Sequence, residues 1–176
     1  RKGKKIAWGN DFNAKVPYRY CPNNQDSRIA QYGYLYNWTA AMKVCPEGWH
    51  LPTDAEWDQL TNYVGDQRQY RCGGDQKNIA KALAERGNVW QESDSDECMV
   101  GNDRYKNNAT GFSALPAGDY QQGYHVFGRC AFFWTGTKVD ATSAGRRYLV
   151  NNVSTVLGVS AEKGNGYSVR CVKDVK

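Results

Sequence analysis

Histidine and methionine are nearly missing from this 176-residue chain, which has two of each, and its six cysteines form no Cys-x-x-Cys pair. A structural zinc site is therefore not expected, since it needs closely spaced Cys and His ligands. Long apolar runs are lacking too: stretches such as Cys130–Trp134 span only a few residues, where a membrane-crossing helix needs about 20. Neither is there a basic stripe. The formal net charge of +5 comes from 23 Lys and Arg against 18 Asp and Glu, and Arg1, Lys2, Lys4 and Lys5 supply much of the excess. Nucleic acid is not an expected partner, because its recognition needs clustered cations on one face.

What the chain does have is aromatic surface: 6 Trp, 12 Tyr and 5 Phe, with 18 Gly and 40% hydrophobic residues overall. That is enough to bury a core and argues against disorder. A single domain over 1–176 is expected, with residues 1–19 read as an N-terminal extension. An even number of widely spaced cysteines favours disulfides and an oxidising compartment. The opening Arg1-Lys-Gly-Lys-Lys5 has no signal-peptide pattern, as expected of a processed chain. An extracellular or cell-surface location is anticipated.

Helical spacing runs from Leu35 to Val44, with Leu35, Trp38, Ala41 and Met42 on one face, and it stops before Cys45-Pro46. Thr53 and Glu56 form a capping box ahead of a stripe of Trp57, Leu60 and Val64. A shorter helix is predicted over 77–86, with Ile79, Ala82 and Leu83 inward. Residues 88–108 read as a polar loop, and the remainder alternates aromatics with Gly-rich turns, as antiparallel strands do. Helices followed by a sheet make an α+β domain.

Three ordered strings carry a resemblance: Cys45-Pro-Glu-Gly-Trp-His-Leu-Pro-Thr-Asp-Ala-Glu-Trp57, Asn108-Ala-Thr-Gly-Phe-Ser-Ala-Leu-Pro-Ala-Gly118 and Gly166-Tyr-Ser-Val-Arg-Cys-Val-Lys-Asp174. Over roughly residues 20–174 the chain resembles the Fibrobacter succinogenes major paralogous domain family of bacterial surface proteins. Leu51–Trp57 with Arg170-Cys171 is also similar to the formylglycine-generating enzyme (sulfatase-modifying factor) group. Both resemblances imply a C-type-lectin-like fold of two to three helices on short twisted sheets. They further imply a bridge between Cys45 and Cys171. Cys72–Cys98 is the expected second bridge, leaving Cys21 and Cys130 to pair by exclusion.

The signature strings read as structural. His50 is expected to be a hydrogen-bonded structural residue, and Arg170 to pair with a carboxylate such as Glu56. An enzyme of the formylglycine-generating type needs a nearby pair of reactive late cysteines, and here the late ones are Cys130 and Cys171. Catalysis is therefore not expected, and no cofactor is assigned. Asp94, Asp96, Glu97 and Asp103 are the only calcium candidates, as hard oxygen ligands in one loop. The stronger functional signal lies in Tyr120, Tyr124, His125, Phe133, Arg146, Arg147, Tyr148, Asn151, Asn152 and Ser154. Tyr, Arg and Asn have the chemistry of recognition surfaces. The expected function is a non-enzymatic binding module for a glycan or a surface protein. Tyr148, Asn151, Asn152, Ser154 and Ser160 would also suit the display positions of a variable protein of a diversity-generating retroelement.

Overall fold

The structure is a computed structural model that describes residues 6–9 and 12–175. Ala7–Trp8 (β1) runs parallel to Tyr18–Tyr20 (β2), which pairs antiparallel with Leu35–Tyr36 (β3), and the helix Ile29–Tyr32 (α1) lies in the connection. Asn37 ends β3 and caps Trp38–Val44 (α2), where its Oδ1 accepts the Ala40 N–H. Such an acceptor satisfies one of the N–H groups that a helix start leaves open. The helix therefore begins after Leu35, and its phase differs from the one predicted. Leu35 is buried in a strand, while Met42 is 47% exposed instead of inward.

Trp49–His50 (β4) precedes Asp54–Asp66 (α3), which opens with both halves of the Thr53–Glu56 capping box. Trp57 and Val64 are buried along it and Leu60 is partly so. The next predicted helix is shorter than expected, Ala80–Leu83 (α4), because Ala84 leaves it to bridge Ala114. Asp119–Tyr120 (β5) and Tyr124–His125 (β6) form a hairpin. Cys130–Lys138 (β7), Ser143–Val150 (β8) and Leu157–Glu162 (β9) form an antiparallel meander, and Val172–Lys173 (β10) closes on β4. The architecture is α+β, with few helices and small sheets.

β7 organises the core. Successive side chains on a strand face opposite ways, and β7 is covered on both sides. Ala131 and Phe133, with Leu149 of β8, pack against Trp57, Val64 and Leu83. Cys130, Phe132 and Trp134 pack against Tyr36, Ala41, Leu51 and Tyr167. The segment after β9 acts as a keystone: Gly166 bridges Tyr120, Tyr167 bridges Tyr36 and Ser168 bridges Phe133. One turn of chain thus joins three sheets.

Cys45 is bonded to Cys171 and Cys72 to Cys98. The expected Cys21–Cys130 bridge is corrected: both are buried free thiols. The Cys21 thiol donates to Asp26 Oδ1 at 2.7 Å, whereas Cys130 faces the Trp134 side of the core. Arg170 also departs from expectation. It binds the Phe112 carbonyl and stacks on that ring, while Glu56 is taken by His50 and Thr53. His50 is the hydrogen-bonded residue anticipated, with Asp174 on its other nitrogen at 2.6 Å. Among the described residues no helix is long and apolar enough to cross a membrane.

Candidate functional site

The keystone segment and β8 together build a polar cleft of about 380 Å³, lined by Phe12, Gln121, Arg146, Glu162, Asn165 and Tyr167 among others. Its residues come from four separate stretches of sequence. Gln121 sits in the β5–β6 turn, Arg146 in β8 and Glu162 at the end of β9. Asn165 and Tyr167 follow on the return segment. Lys163 anchors that return by donating to the carbonyls of Asp140 and Ala141, and its own carbonyl accepts the Trp38 N–H. Gly164 has no side chain because the Phe12 ring lies where a Cβ would be, with Cζ 2.8 Å away.

Tyr167 Oη is the hub of the cleft floor. It accepts from Arg146 Nη1 at 2.6 Å, Asn165 Nδ2 at 2.8 Å and Gln121 Nε2 at 3.3 Å. Gln121 Nε2 also donates to Asp119 Oδ2 at 2.7 Å. The Arg146 guanidinium lies over Phe132, Tyr148 and Tyr167, each within 5.1 Å of the ring centre. Such cation–π contacts are worth about 0.5–1 kcal/mol each when exposed and more when dry. The arginine is therefore held flat and pre-oriented before any ligand arrives.

The electrostatics are unbalanced. No carboxylate lies within ion-pair distance of Arg146 among the described residues, and its Nε is buried without a hydrogen bond. Asp119 is 4% exposed, and its Oδ1 is buried without a hydrogen-bond partner. Burial pushes the Asp119 carboxyl above the usual carboxylate range, against the pull of His125 and Arg146. Burial likewise raises the Tyr167 phenol, which keeps it neutral.

A larger cleft of about 550 Å³ lies in the polar loop, where Glu92, Asp94, Asp103, Arg104 and Tyr105 line it. Two pairs of charges there are already satisfied: Arg104 pairs with Glu92 at 2.6 Å and Asp103 with Lys106 at 2.7 Å. The calcium candidates do not assemble there. Asp96 accepts the Cys98 N–H, Asp103 is held by Lys106, and among the described residues no three metal-ligating side chains converge.

Of the recognition residues read from sequence, Arg146 lines the polar cleft, and Ser160 of the suggested display positions lies along its edge. Phe133 is corrected to core: it is 6% exposed, between Trp57 and Phe112. Tyr120 is corrected likewise, being 8% exposed and stacked on Tyr20 at 4.1 Å, with Tyr124 against its edge. Burial raises the Tyr124 phenol to about 12. Asn151 is also buried, and its Nδ2 donates to the carbonyls of Gln91 and Glu92. Arg147 is tied to Asp54 and Asp58, and Ser154 donates to Asn78. Tyr148 is half-buried beside Phe132, while His125 on β6 and Asn152 in the turn after β8 are exposed.

Gln121, Asn165 and Tyr167 went unread as site residues. No local pattern marks them, because the keystone pairing brings them to Arg146 from distant positions. A family model described as Fibrobacter succinogenes major domain matches residues 1–173. No curated protein and no solved structure matches the chain.

Proposed function

From the premise that the chain belongs to the Fibrobacter succinogenes major domain family, we propose that it is a non-enzymatic, extracellular binding module that captures a glycan in the Arg146 cleft. The observation that carries this reading is the cleft itself. A guanidinium fixed over three rings, two side-chain amides and an aromatic rim offer donors and a stacking face at little entropic cost on binding. Two disulfides brace the frame around it and suit an oxidising, extracellular setting. A C-type-lectin-like arrangement would agree with the C-terminal strand closing on β4 and the Cys45–Cys171 bridge beside it.

The thiols support a role without catalysis. Cys171 is consumed in a disulfide, and burial raises the two free thiols, Cys21 to about 12 and Cys130 to about 11. A thiol of that kind is a poor nucleophile and a poor metal ligand at neutral pH. Screening the oxidised protein against a glycan array tests the reading. Binding by the native protein that is lost in Arg146→Gln is expected. Oxygen-dependent turnover of thiol peptides, with a blank array, would overturn it.

A further inference from the structure

The cleft holds one more piece of information, the charge of what it takes. Arg146 carries a positive charge on a half-buried strand position with no carboxylate in ion-pair range among the described residues. Its Nη1 is committed to Tyr167, and Nη2 makes no hydrogen bond to the described residues. The carboxyl that Arg146 acts on, Asp119, is itself pushed toward neutrality by burial, so a partly desolvated guanidinium gains from a counter-charge that arrives from outside. With Nη1 held by Tyr167, the planar guanidinium presents Nη2 to a carboxylate from a fixed position, which a flexible lysine cannot reproduce.

The rim supplies the second half of the argument. Ala161, on the Arg146 face of the sheet, lines the cleft beside the arginine, with Asn165 in the turn after β9 and Gln121 in the β5–β6 turn. The side-chain amides of Gln121 and Asn165 can accept from and donate to ligand hydroxyls. The half-buried Phe12 ring closes one side with an apolar face. One anionic group, several hydroxyls and one flat apolar face describe an acidic sugar.

We infer that the ligand of this cleft is a uronic-acid-type sugar, with its carboxylate on Arg146, its hydroxyls on Gln121 and Asn165, and its ring against Phe12. This rests on the glycan-binding reading above and narrows its chemistry. The test is calorimetric titration of the oxidised protein with three probes: a uronate oligosaccharide, its carboxyl methyl ester and the neutral hexose counterpart.

The acid should bind at least about tenfold more tightly than the ester or the neutral sugar, and Arg146→Lys should bring the three to within about twofold. Ala161→Trp, which fills the mouth from the Arg146 face of β9 and leaves the arginine in place, should abolish binding of all three. Equal affinity for acid and ester would overturn the inference while leaving glycan binding intact. So would acid selectivity that survives Arg146→Lys. Failure of every probe to bind, alongside a positive array hit on an unrelated neutral glycan, would overturn it as well. A blank array in addition would remove the glycan-binding reading itself.

Discussion

Arg147 Nη1 lies 2.8 Å from Asp54 Oδ1, so β8 is tied to the first turn of α3 on the face opposite Arg146. Nη2 adds Asp58 at 2.9 Å, and the arginine side chain is only 15% exposed. Two adjacent residues of one type thus have different work, because strand neighbours face opposite ways. Arg147→Gln should lower unfolding free energy by about 1 kcal/mol in urea titration, without altering cleft binding. Lost binding at unchanged stability would reverse these roles.

Tyr167 is a positioning residue for Arg146. Tyr167→Phe removes the oxygen that three donors share in a buried site, at a cost of about 1–3 kcal/mol. The Arg146 side-chain N–H groups should then exchange faster with water, and acidic-sugar affinity should fall. Unchanged exchange rates would show that the arginine is held by its rings alone.

The two disulfides should contribute unequally. Cys45–Cys171 closes a span of 126 residues and Cys72–Cys98 one of 26. Chain-entropy reasoning gives about 5 and about 3.5 kcal/mol respectively. Denaturant titration of the paired Cys→Ala variants checks the order, and a larger loss from Cys72/Cys98 would contradict it.

His50 joins the C-terminal strand to α3 through Asp174 and Glu56. Its pKa is raised, chiefly by the hydrogen bond to Asp174 and then by that to Glu56, while Glu56 is lowered, chiefly by the Thr53 backbone N–H. A raised histidine stabilises fully below its unfolded value near 6.5 and loses that contribution as pH rises through the folded value. A lowered carboxylate contributes above its unfolded value near 4.5 and loses it as pH falls. Melting temperature should therefore decline from about pH 6 toward pH 9, and His50→Gln should flatten that limb. A limb of unchanged slope in the variant would sink the assignment.

Much of the frame was legible in the chain. Thr53 and Glu56 announce α3 because capping is local chemistry, and the Cys45–Cys171 bridge came with the family resemblance. The candidate site was legible at Arg146 and Ser160 alone. Phe133 and Tyr120 look like recognition residues by type, but β7 is covered on both faces and Tyr120 stacks on Tyr20 across the fold. Residue type says nothing about which face of a doubly covered strand a side chain takes. Met42 fails for a related reason: α2 begins only at Trp38, so Leu35 is not part of its face, and the helix turns Ala40 and Ala41 inward instead. Gln121, Asn165 and Tyr167 were hidden because non-local bridges, not spacing, assemble them.

The account stands or falls on where a glycan sits. Backbone and side-chain NMR shifts, followed during titration with the best array binder, locate it directly. The predicted result is a set of shifts centred on the Arg146 guanidinium and the side-chain amides of Asn165 and Gln121. Shifts centred on Tyr105 and Arg104 in the polar loop, with the Arg146 resonances unmoved, would contradict it.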